Sequence, residues 1–416
     1  MIDYSEMNYI EDMVVDKFLR YVQIETTSNE QNKPNPTTET QWDLAKLLKN
    51  ELVELGLKDV EVDEYCYVYA ILPASPNVTT EPISFLAHMD TSPAVSGKNI
   101  QPLIRKNYQG EDLAYPLNDN LFLKPSECPK LLDYIGEQII TSSGDTLLGA
   151  DDKAGIAEIM TALHVLQENP DILHPELRIC FTPDEEVGAG TDNIDIKRLG
   201  HIAYTIDGGE LGELEDECFD AHSIKITIKG RNVHPGNAKD IMINAVRIAS
   251  HFVACLPEHE SPEHTENREG FYHVRKVTGD ETDAVIDIIV RDFDAKKNAH
   301  RIDYLESVAE TLRVKHPEAV IKVNHSNSYR NMKEVLEKYP EVVNKAEHAM
   351  LDLNIKPLKT PIRGGTDGAR LCYLGVPTPN IFTGGFLYHS LSEWVPVSSM
   401  VAAVKVVVSL ANSWAK

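Results

Sequence analysis

Ile83-Ser84-Phe85-Leu86-Ala87-His88-Met89-Asp90 is the stretch from which the fold can be read. Residues 83–87 form a short apolar run, as a strand buried on both faces does, and the run ends directly in a histidine and an acid. Two other runs have the same form. Residues 177–181 lead into Thr182-Pro183-Asp184-Glu185-Glu186-Val187-Gly188, and residues 202–206 into Asp207-Gly208-Gly209-Glu210. A helical pattern over 154–166 lies between the first two. Strands alternating with helices predict an α/β fold, with a largely parallel central sheet and helices on both faces. Ligands of such sheets gather beyond the carboxyl ends of the strands, which is where these acids and this histidine stand.

Upstream, Ile10, Val14, Phe18 and Val22 recur every four residues and predict a helix. A polar loop over 26–37 follows. Thr38 and Gln41 then have capping-box spacing ahead of a helix carrying Trp42, Ala45, Leu48 and Leu52, which Gly56 should stop. Residues 60–72 read as strand. Downstream, the pattern changes near Cys218. Residues 223–229 alternate polar positions with Ile224, Ile226 and Ile228, 244–255 read as helix, 285–293 as a second alternating strand, 301–314 as helix and 321–323 as a closing strand. This block predicts a small α+β lid domain over 219–325, inserted between catalytic-domain segments 1–218 and 326–416, the last ending in a helix from about Ser398.

A chain of 416 residues is long for a single core and predicts two domains. Its 65 acidic against 40 basic residues give a net charge of −25, which argues against nucleic acid or anionic lipid as a main partner. Residues 400–411 are apolar but short and interrupted by Lys405, so no membrane segment is expected. Met1-Ile2-Asp3-Tyr4-Ser5-Glu6 lacks the apolar core of a signal peptide. Six scattered cysteines read as free thiols in a reducing compartment, and a cytoplasmic location is expected.

The strand-end motifs each have a plain reading and a sharper one. His88 and Asp90 share one face of a strand, so Asp90 can hold the His88 ring from behind; a capped strand end is the plain alternative. In Leu148-Gly149-Ala150-Asp151-Asp152-Lys153-Ala154-Gly155 the acids cap a helix or bridge metals, and the small neighbours allow close backbone approach. Asp184-Glu185-Glu186 is an exposed acidic turn or, if desolvated, a cluster that needs cations. Asp207 ends its strand before two glycines, and His389 follows Thr383-Gly384-Gly385-Phe386-Leu387-Tyr388. Taken together, His88, Asp151, Glu186, Asp207 and His389 make a mixed imidazole and carboxylate set without cysteine, which suits zinc in a hydrolytic site. One carboxylate shared by two metals, with a histidine and another acid on each, leaves room for a water between them. His259-Glu260-Ser261-Pro262-Glu263-His264 imitates a zinc-protease helix, but its histidines are misplaced and Pro262 breaks the helix. Gly144-Asp145-Thr146-Leu147-Leu148-Gly149 imitates a phosphate loop without the lysine it requires.

With His88-Met89-Asp90-Thr91-Ser92-Pro93, Gly149-Ala150-Asp151-Asp152-Lys153-Ala154-Gly155, Thr182-Pro183-Asp184-Glu185-Glu186-Val187-Gly188, Val233-His234-Pro235-Gly236, Ile289-Val290-Arg291-Asp292-Phe293-Asp294 and Arg363-Gly364-Gly365-Thr366-Asp367-Gly368 in this order, the chain resembles a known family. It is similar to the di-zinc aminoacylase and carboxypeptidase family of metallopeptidases, in particular its tripeptide aminopeptidase branch. The similarity begins at about residue 12 and runs over nearly all of the chain. It implies that Asp151 bridges two zinc ions, that His88 and Asp207 complete one and that Glu186 and His389 complete the other. It further implies a cis peptide at Asp151-Asp152, Glu185 as general base, Asp90 as partner of the histidine ligand, His234 as a donor to the oxyanion, and Arg291 and Arg363 as holders of the substrate carboxylate. A catalytic α/β domain with an inserted lid is implied as well. The sequence departs from the branch after His389, where Ser390-Leu391-Ser392-Glu393-Trp394 keeps the glutamate but not the basic residues before it. The expected activity is that of a cytoplasmic di-zinc aminopeptidase acting on tripeptides. The alternatives are a dipeptidase, carboxypeptidase or N-acyl amino acid deacylase on the same scaffold, or a non-catalytic metal- or peptide-binding protein, against which Glu185 stands. Side-chain preference, native metal and oligomeric state, homodimer included, stay open at this point.

Overall fold

The computed structural model describes residues 2–33 and 35–416 and divides the chain into two units. The first comprises Met1–Asp216, Glu334–Thr360 and Thr366–Lys416; the second comprises Glu217–Lys333 and Pro361–Gly365.

In the first unit, α1 (Tyr9–Val22) buries the stripe Ile10, Val14, Phe18 and Val22. Helix α2 (Gln41–Glu54) stops just before Gly56, whose φ of +76° a residue with a Cβ tolerates poorly. The expected capping box does not form. Gln41 is buried and its amide donates to Thr38 Oγ1 and to Asp184 Oδ1, while the Thr38 hydroxyl donates to the Thr27 carbonyl, so no side chain caps α2. The run 60–72 is two strands, β1 (Lys58–Val62) and β2 (Val68–Leu72), because Asp63 accepts the N–H groups of Tyr65 and Tyr67 and turns the chain between them. Strand β3 (Ile83–His88) is followed by β4 (Leu103–Arg105), β5 (Leu113–Tyr115), β6 (Asn118–Leu123), β7 (Ile139–Thr141), α3 (Ala150–Glu168), β8 (Leu177–Thr182), β9 (Ile202–Gly208) and β10 (Leu214–Glu215).

The second unit holds β11 (Asp220–Lys229), α4 (Ala245–Ala254), β12 (Phe271–Gly279), β13 (Asp283–Asp292), α5 (Ala295–Lys315) and β14 (Val320–Tyr329). Its antiparallel sheet has the order β12-β13-β11-β14. Ile224, Ile226, Ile228, Ile286, Ile288 and Val290 line one sheet face and pack with Ala249 and Phe252 of α4 and Leu305, Ala309 and Leu312 of α5. The boundary expected at 325 falls inside β14, which continues to Tyr329 opposite Ala221. Pro361–Gly365 joins this unit through the Phe219 N–H, which donates to the Ile362 carbonyl.

The chain then forms α6 (Lys333–Leu336), α7 (Pro340–Asp352), α8 (Asp367–Leu374), β15 (Asn380–Phe382), β16 (Trp394–Pro396) and α9 (Val397–Trp414). Helix α9 is long and apolar enough to cross a membrane, and in this fold it packs against α1, α3 and α7. The main sheet has the order β1-β2-β8-β3-β9-β15-β10. Strands β8, β3, β9 and β15 are parallel neighbours, and the outer pairings are antiparallel. Because β3 lies between β8 and β9, His88, the Glu185–Glu186 turn and Asp207 emerge side by side at one sheet end. Helix α3 packs on β3 and β9 and against α1 and α9. Burial of its Ile156, Ile159, Met160, Leu163 and Leu166 contributes roughly 1.5–3 kcal/mol per side chain, which anchors the helix whose first turn carries Asp151.

Candidate metal centre

The site is assembled from strand ends and two irregular segments of the first unit. His88 is buried at the end of β3. Its Nε2 lies 2.8 Å from Asp151 Oδ1 and 3.5 Å from Asp207 Oδ1. Its Nδ1 is 3.0 Å from the backbone carbonyl of Asp90 and 3.4 Å from the Asp90 carboxylate. The support expected from Asp90 therefore comes first from its carbonyl. The Asp90 carboxylate accepts the N–H groups of Glu185 (2.9 Å) and Glu186 (3.1 Å) and so fixes the acidic turn. Asp184 faces away from the cluster, accepting from Thr37 and Gln41.

The Asp151–Asp152 peptide is cis, and both residues depart from helical dihedrals at the start of α3. Their side chains have different partners. Asp152 accepts the His88 N–H at 3.0 Å and the Gly155 N–H at 3.3 Å, inside the protein. Asp151 turns one oxygen to His88 and the other to His389, whose Nε2 stands 3.0 Å from Oδ2. His389, in a left-handed conformation at φ +59°, also lies 2.9 Å from Glu186 Oε1. One imidazole nitrogen serves one acceptor, and Glu186 Oε1 is left buried without a hydrogen-bond partner. His88, Asp151 and Glu186 offer ligand atoms within 4.8 Å of one another, as do His88, Asp152 and Asp207.

The electrostatics are those of a cluster short of positive charge. Burial drives the Glu185 carboxyl well above its ordinary range, raises Glu186 to about 7 and raises Asp207. Asp151 goes the other way: burial opposes its ionisation, but hydrogen bonds from His389 and His88 win. The adjacent carboxylates of Asp151, which is hydrogen-bonded to it, and Glu186 push His389 up to about 11. His88 is raised too, because its hydrogen bonds to Asp151 and Asp207 overcome desolvation. Desolvated carboxylates, imidazoles held against them and an orphaned carboxylate oxygen are what divalent cations with mixed nitrogen and oxygen ligands would resolve.

The three residues expected to touch substrate belong to the second unit. His234 is exposed and its Nδ1 accepts the Gly236 N–H at 3.1 Å. Arg291 donates to the carbonyls of His222 and Val290 and lies 5.1 Å above the Tyr329 ring. Arg363 donates to the carbonyls of Asn267 (2.7 Å) and Glu269 (3.0 Å) and lies over the rings of Phe219 and Phe271, so its guanidinium holds the 265–269 loop. Two first-unit residues beside the cluster carry no motif that marks a role for them in the sequence. Asp367, at the start of α8, accepts from Thr182 Oγ1 at 2.9 Å and is raised by burial to about 7. The Tyr388 hydroxyl accepts the Gly385 N–H and bonds Thr383, bracing the loop before His389. For both, the only sequence signal was a glycine-rich neighbourhood.

Residues 148–413 match the sequence profile of peptidase family M20/M25/M40. Peptidase T of Clostridium novyi (strain NT) is 46% identical over 406 residues, covering 97% of this chain and 100% of that one. The crystal structure of aminopeptidase PepT from Bacillus cereus superposes with a TM-score of 0.76 at 22% identity, covering 98% of this chain and 99% of that one. A dinuclear metal-binding peptidase of the M20 family from Bacillus subtilis superposes with a TM-score of 0.66 at 13% identity, covering 97% and 98%.

Proposed function

Given that this chain belongs to peptidase family M20/M25/M40 and is a hydrolase of the metallopeptidase type, we propose that it removes the N-terminal residue from tripeptides with the help of two zinc ions. The observation that carries the two-metal reading is Asp151, with an imidazole at each carboxylate oxygen and a second acid beside each imidazole. In this reading His88 and Asp207 hold one ion, Glu186 and His389 the other, and Asp151 both. When bound, such ions polarise the scissile carbonyl and lower the pKa of a water.

The chain's own residues supply the rest. Asp90 holds the backbone of Glu185 and Glu186, so that one of two adjacent acids serves as ligand and the other stays free. Glu185 then takes a proton from water and returns it to the leaving amine. Its carboxyl is raised by burial, and cations nearby bring it back toward the range a base needs near neutral pH. His234 is the donor to the oxyanion and Arg291 the partner of the substrate carboxylate. Arg363 acts with them by ordering the 265–269 loop. Six free cysteines support placing the protein in the cytoplasm.

The test is a panel of peptides of two, three and four residues, free or N-acetylated, assayed before and after chelation. Cleavage of free tripeptides, lost on metal removal and restored by zinc, is expected. Equal rates at all lengths would remove the tripeptide assignment, and activity surviving complete metal removal would refute the mechanism.

A further inference from the structure

The loop that carries His389 also carries Glu393, whose buried carboxylate reaches the segment leading into Asp151. Its Oε2 accepts the N–H groups of Leu148 (2.8 Å) and Gly149 (2.9 Å), and its Oε1 those of Ala150 (2.6 Å) and Asp151 (3.2 Å). Four successive N–H groups turned to one side form a concave, partly positive nest, which a carboxylate fills with both oxygens. Nothing local fills it. Gly149 has a φ of +81°, Asp151 and Asp152 are not helical, and the residue preceding α3 offers no side-chain cap. The loop is closed at its base, because Phe386 and Trp394 exchange backbone hydrogen bonds of 2.9 and 3.1 Å and stack their rings 4.4 Å apart. A single carboxylate thus ties the backbone that aims Asp151 to the loop that aims His389.

We infer that Glu393 is a positioning residue that sets Asp151 against His389 and thereby the affinity and geometry of the metal centre. The inference rests on the proposal that these two residues are ligands. Glutamine at 393 offers one acceptor oxygen and turns donor N–H groups toward other donors, so it cannot fill the nest. Aspartate keeps both oxygens but is too short to reach all four N–H groups.

The experiment compares wild type with E393Q, E393D, D151N and a control, V404A, which opens a packing defect in α9. Each is stripped of metal, and three readouts follow: zinc affinity by calorimetry, the visible spectrum of the cobalt-substituted protein, and far-ultraviolet circular dichroism. E393Q is expected to keep its secondary structure, bind zinc about 10–100-fold more weakly and show an altered cobalt spectrum. E393D shows the same change in smaller size. V404A is expected to melt earlier with affinity and spectrum unchanged, which separates positioning from general stability. Wild-type affinity and spectrum in E393Q overturn the inference even if E393Q melts earlier; if E393Q does not fold, the same result in E393D does so. D151N separates the two ideas. If D151N binds two metals as tightly as wild type, the ligand reading itself fails. If D151N loses metal while the Glu393 variants do not, only the positioning role fails.

Discussion

Asp151 and Asp152 are adjacent acids with opposite fates, and one backbone irregularity separates them. Asp152 is fully buried, with its oxygens on the N–H groups of His88 and Gly155, while Asp151 faces the imidazoles. Residue types and order pointed to these acids and the family resemblance singled out Asp151, but no periodicity encodes the dihedrals at 150–152 that accompany the inward turn of Asp152. The same limit applied to Asp90: its spacing from His88 was legible, whereas its carboxylate grips Glu185 and Glu186 beyond the end of the neighbouring strand β8, 95 and 96 residues along the chain. For Glu185, the expected outcome of E185A is a kcat lower by about 10²–10⁴-fold with both metals retained, checked by steady-state kinetics and metal analysis. Full activity with both metals present would end its assignment as base. A second prediction concerns Glu158, fully buried in α3 with neither carboxylate oxygen hydrogen-bonded. Burial raises its pKa well above the ordinary 4.5. Below pH 4.5 the folded and unfolded chains both carry the proton, and no stability is lost. As pH rises, the unfolded chain ionises first, so stability falls by about 1.4 kcal/mol per pH unit until the folded pKa is passed. E158Q removes this dependence. Its melting temperature relative to wild type should rise as pH increases above 5 and level off once the folded pKa is passed; parallel curves would mean that Glu158 is not buried as an acid.

At the scale of elements, α3 was legible over 154–166 because its apolar residues meet both a sheet and other helices. Strand β12 was not legible: it is an edge strand, and its outer half, with Arg275 and Lys276 exposed, lacks alternation. The capping box at Thr38 failed for a related reason, since the partner that recruits Gln41 lies far along the chain at Asp184. Close approach of α3 to β9 makes Gly155 a sensitive point. A Cβ there would collide with the Ile206 carbonyl and with the Asp152 carboxylate, one residue from Asp207 and one from Asp151. Neither obstacle can swing away, the first being strand backbone and the second held by His88. Gly155→Ala is therefore expected to destabilise the protein by about 1–3 kcal/mol and to weaken metal binding with it. A denaturant titration paired with zinc calorimetry checks both, and loss of stability with undisturbed affinity would show that the helix moves without carrying Asp151.

At the scale of the whole molecule, the alternation of strand-like apolar runs with helical ones was enough to foresee an α/β layer. It did not foresee that Pro361–Gly365 joins the second unit, because five residues carry no period and their place is fixed by backbone pairing with 217–219. The net charge of −25 is only slightly offset by a metal centre of this kind, so most of the surplus acid is surface. The centre's energetic reach is more specific. All of its proposed ligands belong to the first unit, at the ends of β3, β8 and β9, at the start of α3 and in the loop before β16. The second unit has its own apolar core between its sheet and α4 and α5. Metal at 100 times its dissociation constant adds about 2.7 kcal/mol to whatever unfolds with the site. Chelation should therefore reduce amide hydrogen-exchange protection in β3, β9 and α3 while β11 and β13 keep theirs. Equal loss in both sheets would instead show that the two units open as one cooperative body, with the metal centre stabilising the entire chain.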